Sequence, residues 1–319
     1  MSQAVDVVCA GIVVVDHVTA PIDQLPDPGV LLLTDGCYLT LGGCASNVSV
    51  GLARMGVATD VSGCIGDDAP GRFASEFLRE AGVGVDDLIC VENVLTSQSL
   101  VISVKGRDRS FIHHRGASDC FTAARMPIEK ICRSKILYVG GFFLSSSLLA
   151  GELAKVFETA RNAGAVTVLD VVTPGPGDYF GALKELLPST DVFLPNHDEG
   201  KFITGIEDPL EQAHAFREAG AGCVVITQGS EGSILLTDNG RWRSDCFSFD
   251  VVDGVGSGDA FDAGFIYGLL QGGGPEECLR YGTALGGSAV RAAGATDGVF
   301  TREEAIKFLE ANPLKIEQF

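Results

Sequence analysis

Two periodicities alternate along the chain. Residues 5–15 are an apolar, β-branched run with Gly11 inside it, the pattern of a strand buried on both faces, and the run ends at Asp16, an acid placed at a strand end. Residues 45–55 carry helical spacing. Residues 58–64 read as a strand, Gly63-Cys64-Ile65-Gly66-Asp67-Asp68 as a turn, and 71–81 as a second helix closed by Gly82. From residue 136 the alternation is regular, with strands near 136–139, 166–170, 191–194 and 223–227 and helices near 148–163, 198–204 and 210–219. An antiparallel pair over 233–237 and 241–249 follows, then two helices over 258–270 and 276–293, and 302–310 ends the chain. Such alternation predicts an α/β fold with a mostly parallel sheet covered by helices on both faces. Two β-rich runs, 97–104 and 109–114, interrupt it. Joined by Lys105-Gly106-Arg107-Asp108, a hairpin signal, they are expected to leave the main sheet as a lid. Residues 20–28, rich in Pro and Asp, read as a loop, and 31–41 as short strands leading to Gly42-Gly43.

The chain is organised around residues 250–261. Glycines at 254, 256 and 258 permit tight turns, and Phe261, Phe265 and Leu269 then mark a helix. A glycine loop opening a helix offers unpaired N–H groups and the positive end of a dipole, which is an anion site. Asp259 places a carboxylate where the anion would sit. That suits a base stripping a proton from a hydroxyl that attacks a phosphate; the alternative is an ordinary turn whose Asp caps the helix. In Gly42-Gly43-Cys44-Ala45-Ser46-Asn47 the glycines allow close approach of a ligand and Asn47 offers donor and acceptor, or Asn47 merely caps a helix. Residues 227–232 read as a hairpin loop. Asn196 and Glu199 lie after a strand, where ligands of open α/β sheets gather; they would hold Mg²⁺ through waters or form a capping box.

Composition narrows the classes. The 319 residues allow one large α/β domain or two ordinary ones, and 46% hydrophobic content is ample for a core. A net charge of −19 argues against nucleic acid or an anionic membrane as partner. No basic leader segment opens the chain, and its uncharged, apolar stretch at 136–151 is too short to span a bilayer. The ten cysteines form no Cys-x-x-Cys pair and the five histidines no cluster, so zinc and a redox dithiol have no support and free thiols of a cytoplasmic protein are expected. Walker-type, dinucleotide-binding and Gly-x-Ser-x-Gly motifs are absent, which disfavours a P-loop enzyme, a dehydrogenase and a common serine hydrolase.

Together, in this order, the motifs resemble the ribokinase-like (PfkB-type) family of sugar kinases, over about residues 5–295. The matching pieces are Gly42-Gly43-x-x-x-Asn47 with Leu52-Ala53-Arg54-Met55-Gly56, Gly63-x-x-Gly66-x-Asp68, Asn196-x-x-Glu199, Thr227-x-Gly229-x-x-Gly232 and Gly256-x-Gly258-Asp259-Ala260-Phe261. The resemblance implies a ribokinase-like three-layer sandwich, one domain over 1–319, with a small β lid from 13–41 and 97–115 and a homodimer contact through that lid. It implies transfer of the ATP γ-phosphoryl group to a hydroxyl of a sugar or sugar-like alcohol, with Asp259 as base and the N–H groups of Gly256, Ser257 and Gly258 as anion hole. Asp16, Gly42, Gly43 and Asn47 would hold sugar hydroxyls, and Arg115 a substrate phosphate or carboxylate, or solvent. Asn196 and Glu199 would organise Mg²⁺; Thr227, Gly229, Gly232 and Thr283 would line the nucleotide.

Departures from the family pattern are specific. The family's usual Asp-Thr-Thr-Gly-Ala-Gly-Asp is Asp253-Gly254-Val255-Gly256-Ser257-Gly258-Asp259 here, which leaves open whether Asp253 and the Val255 carbonyl hold K⁺. Asp170-Val171-Val172-Thr173 lacks the Asp-x-Asn-x-Arg of many members. A nucleoside or sugar-phosphate acceptor, with Tyr38 and Phe111 as stacking surfaces, and a non-catalytic sugar sensor are the alternatives.

Overall fold

The computed structural model of the protein describes residues 5–107, 109–175 and 177–319; of the expected hairpin turn, Asp108 lies outside them. The strands are β1 (Val7–Gly11), β2 (Val14–Thr19), β3 (Cys37–Gly42), β4 (Thr59–Gly66), β5 (Gly84–Val91), β6 (Ser97–Ile102), β7 (Ser110–His114), β8 (Ile136–Gly140), β9 (Val166–Leu169), β10 (Val192–Phe193), β11 (Cys223–Thr227), β12 (Ser233–Thr237), β13 (Gly240–Ser244) and β14 (Ile316–Gln318). The helices are α1 (Cys44–Arg54), α2 (Ala69–Glu80), α3 (Ile128–Ile131), α4 (Ala150–Asn162), α5 (Tyr179–Leu186), α6 (His197–Thr204), α7 (Pro209–Glu218), α8 (Ser257–Leu270), α9 (Pro275–Ala289) and α10 (Arg302–Ala311).

The large sheet runs β14-β13-β12-β11-β10-β9-β8-β1-β4-β5. It is parallel from β11 to β5 and antiparallel from β11 to β14. Its strands alternate side chains between two apolar layers, as a period of two requires. Val8 and Ala10 of β1, Leu137 and Val139 of β8 and Val224 and Ile226 of β11 pack with Phe157 of α4, Leu183 of α5 and Phe216 of α7. Val7 and Cys9, Ile136 and Tyr138, and Val225 pack on the other face with Leu52 of α1, Phe265 of α8 and Leu285 of α9. Helix, sheet and helix make the three layers, and β3-β2-β6-β7 form the separate small sheet of the lid.

The apolar run at residues 5–15 is two strands rather than one. The chain leaves the large sheet at Gly11, whose φ of +134° is one that a side chain strongly disfavours, and a β-carbon there would collide with the carbonyl of Gly140 in β8. Ile12 to Val15 stay buried after the break, so hydrophobicity carries no sign of it. Asp16 is consequently not a strand end but a middle residue of β2, opposite Thr40 and Ser99. Likewise Gly63 and Gly66 belong to β4 instead of a turn; a β-carbon on Gly63 would stand 2.8 Å from the Gly11 carbonyl oxygen, so glycine serves close strand approach there. Within 31–41 only Cys37–Gly42 is a strand, and Leu31 and Leu33 are exposed. The pattern missed β5, an edge strand whose Asp86 and Asp87 break any apolar alternation, and also α5 and β14. Among the described residues no helix is long and apolar enough to cross a membrane.

Candidate active site

The site forms where β1, β8, β9 and β10 end beneath the lid and α8 begins. Gly256, at φ +74°, is the residue before α8, and no side chain caps the helix. Asp259 sits on the first turn and does not serve as the cap; instead its Oδ2 accepts a hydrogen bond from Asn47 Nδ2 at 2.8 Å. Asn47 likewise caps nothing in α1, which starts after Gly43 (φ +90°). The two helices can meet this closely because Gly51, one turn beyond Asn47, faces Ala263, one turn beyond Asp259; a β-carbon on Gly51 would be only 2.8 Å from that of Ala263. The amide oxygen of Asn47, Oδ1, is buried without a partner. An orphan acceptor beside a carboxylate is what a ligand hydroxyl would satisfy.

Asp16 reaches the same place from β2. Its carboxylate occupies the space a β-carbon on Gly42 would need, which accounts for the first glycine of that pair. Burial pushes its pKa up to about 6, eased by a hydrogen bond from Ser99 and raised again by the charge of Asp259. Asp170 follows β9; burial and then the Asp259 charge push it up to about 7, although Gly141 N–H donates to it at 3.1 Å. Burial also raises Asp259, against the hydrogen bonds of Asn47 and Cys44, and raises Glu199 and Asp262 well above their ordinary range, with the charge of Asp170 next in importance for both. Tyr138 donates to Asp262 at 3.1 Å. Cys44, Asp170 and Asp259 present ligand atoms within 4.8 Å of one another. This concentration of buried negative charge is strained as it stands, and a hard cation held by oxygen would relieve it. Asn196 and Glu199 do form the capping box: Glu199 N–H donates to Asn196 Oδ1 at 2.8 Å and Asn196 N–H to Glu199 Oε2 at 2.9 Å. With those oxygens engaged, the pair fits Mg²⁺ held through water rather than by direct ligation.

A cavity of about 430 Å³ opens beside the first turn of α8, at Ser257, Gly258 and Phe261. Thr227, Gly229 and Gly232, the hairpin loop between β11 and β12, form one wall with Asn196, and Ser257 and Gly258 form another. Phe249, Val251 and Val290 make it apolar, and Gly287 keeps it open beside Phe249. Thr283 lines it too, with its Oγ1 buried and unpartnered. The size and the apolar wall with few polar groups suit a small-molecule ligand. Ser257 N–H leans back to the Gly254 carbonyl at 3.4 Å, a long bond that a better acceptor would displace.

Two residues named from the sequence stand elsewhere. Arg115 precedes the 3₁₀ turn Gly116–Cys120, where its carbonyl accepts from Ser97 Oγ and its charge acts on His113. Asp253 is paired with Arg109 of the lid, and Val255 contributes its N–H to the same carboxylate at 3.1 Å. Sequence reasoning missed Cys44, Asp262, Arg109 and the wall at 246–249. It noted Asp170 only as a departure, although an acid ending a parallel strand was the available signal.

Residues 5–302 match the profile described as pfkB family carbohydrate kinase. The chain belongs to that family. Curated relatives include the ribokinase of Haemophilus influenzae, 28% identical over 303 residues (92% of this chain, 95% of the relative), and the 2-dehydro-3-deoxygluconokinase of Bacillus subtilis, 31% identical over 284 residues (85% and 87%). A solved structure of Arabidopsis thaliana ribokinase complexed with ribose and ATP superposes with a TM-score of 0.81 at 26% identity, covering 97% of this chain and 99% of that one. This pfkB protein is therefore a carbohydrate kinase, a phosphotransferase with an alcohol acceptor, built as a ribokinase-like sandwich with a lid.

Proposed function

We propose that this kinase transfers the γ-phosphoryl group of ATP to a hydroxyl of a small sugar or sugar acid, with Asp259 as the base. The observation that carries the reading is the position of Asp259. It is bonded to Asn47, whose amide oxygen is buried and unpartnered, and it lies on the first turn of α8, whose uncapped start borders the cavity at Ser257 and Gly258. In this reading ATP lies along Thr227, Gly229, Gly232 and Thr283, with its γ-phosphate at the N–H groups of Gly256, Ser257 and Gly258. Asp16, Gly42, Gly43 and Asn47 hold the acceptor.

Asp259 takes the hydroxyl proton as that oxygen bonds to the γ-phosphorus, the bond from the γ-phosphorus to the β,γ-bridging oxygen breaks, and ADP leaves with the electron pair. The raised pKa of Asp259 makes it a better acceptor, and the Asn47 hydrogen bond fixes which oxygen points at the substrate. The helix N-terminus stabilises charge on the transferring group, and positioning supplies the rest. Mg²⁺, when bound near Asn196 and Glu199 through water, neutralises phosphate charge. The domain acts as one unit in the cytoplasm, where its free thiols persist. Its lid (13–41 and 97–115) excludes water and pairs with a second copy.

The reading is tested by ADP release with Mg-ATP across sugars, sugar acids, polyols, sugar phosphates and nucleosides. A strong signal with a sugar or sugar acid is expected. Turnover confined to nucleosides would overturn the acceptor assignment, and thermal stabilisation by a sugar without any turnover would point to a sensor.

A further inference from the structure

The loop that feeds α8 is held by the lid. Arg109 directly precedes β7, at the turn end of the β6–β7 hairpin, and its guanidinium forms an ion pair with Asp253; the two side chains are 21% and 13% exposed. The same carboxylate accepts Val255 N–H on Oδ1 at 3.1 Å and Gly294 N–H on Oδ2 at 3.1 Å. Both of its oxygens are therefore surrounded by donors. On the facing loop the Val290 carbonyl accepts from Val252 N–H at 2.7 Å and Asp253 N–H at 3.1 Å. The Asp253 carboxylate and the Val290 carbonyl, two oxygens that a bare monovalent cation at this loop could use, are thus engaged by N–H groups and a guanidinium.

Gly254 completes the picture. A β-carbon there would stand 3.2 Å from Arg109 Nη2, so a larger residue would crowd the guanidinium where it crosses the loop. Arginine keeps its charge at any accessible pH and reaches acceptors with a rigid fork of donors, so it serves as a permanent cation on a tether.

We propose that Arg109 is a positioning residue that supplies, from the lid, the positive charge which organises the loop at 253–258. Phosphoryl transfer then needs no free K⁺ or Na⁺, and the anion hole is set only when the lid is in place. The inference rests on the kinase reading for its consequence in turnover, but not for the cation site itself.

The test compares the wild type with Arg109→Ala and Arg109→Lys in choline chloride and in KCl, with turnover and melting temperature both measured. The wild type is expected to be indifferent to the salt in both readouts. Arg109→Ala should lose at least about tenfold in kcat in choline with a smaller change in KM, as loss of a transition-state interaction does. KCl should restore much of that loss and raise the melting temperature of this variant alone, while Arg109→Lys keeps most activity without K⁺. Strong stimulation of the wild type by K⁺, or full activity of Arg109→Ala in choline, overturns the proposal. So does a loss that no monovalent cation repairs. If no acceptor gives turnover in any salt, the kinase reading fails, and the K⁺-specific shift in melting temperature, present only in Arg109→Ala, still decides the cation question.

Discussion

Asp259 combines two demands that rarely meet at one residue: it is half-buried beside the carboxyl groups of Asp16 and Asp170, and it opens a helix whose amides favour an anion. The consequence for stability follows from the raised pKa values of Asp16, to about 6, and Asp170, to about 7, against an ordinary 3.8. The folded protein holds these protons more tightly than the unfolded chain. Their stabilisation is therefore complete below the ordinary value and lost as pH rises through about 6 to 7. The ligand-free protein should melt at a higher temperature at mildly acidic pH than at pH 8, and Asp170→Asn should flatten that dependence; a scanning-fluorimetry series that rises with pH would contradict it. Mg²⁺ with ATP should raise the melting temperature more at pH 8 than under acid conditions, because the cation then meets ionised groups. At this scale the sequence revealed residues whose role is tied to backbone shape, such as Gly42 beside Asp16 and Gly256 before α8. Cys44 and Arg109 carry no local signature, and Asp170 only that of an acid after a parallel strand; the folded chain brings them to the site.

Among elements, the pairing of α1 with α8 decides the site, since Asn47 meets Asp259 only while Gly51 meets Ala263. Gly51→Ala is expected to cost about 1–3 kcal/mol by overpacking and to lower kcat through the displaced Asn47. Adding Ala263→Gly should return part of both, visible as non-additivity in urea unfolding. A single variant of undiminished stability and activity would show that the two helices do not constrain each other. Periodicity located both helices because long amphipathic or apolar segments flanked by glycine are well marked. It failed at Gly11, where the chain changes sheets without changing hydrophobicity, and at β5, where edge position removes the need for apolar residues on both faces.

For the molecule as a whole, the lid presents an unusual surface. Tyr38, Leu39, Leu100, Phe111 and Ile112 are exposed on its strands, and β3 and β7 are its open edges. Exposed apolar strands of this kind pair with another copy or aggregate. Sedimentation should show a dimer for the wild type and a monomer for Ile112→Lys; a wild-type monomer at all concentrations would refute pairing through the lid. Strand and helix alternation made the architecture legible, since few folds accommodate it. The acceptor was not legible, because it depends on how Asp16, Asn47 and the lid converge from distant parts of the chain.

The central claim is that Asp259 is the base at the junction of two binding sites, and one comparison tests it most directly. Turnover and ATP affinity, the latter by calorimetry, are measured for the wild type and Asp259→Asn with the best acceptor. The account predicts a fall in kcat of about 10²–10⁴-fold with ATP and acceptor still bound. Turnover by Asp259→Asn near that of the wild type would contradict it.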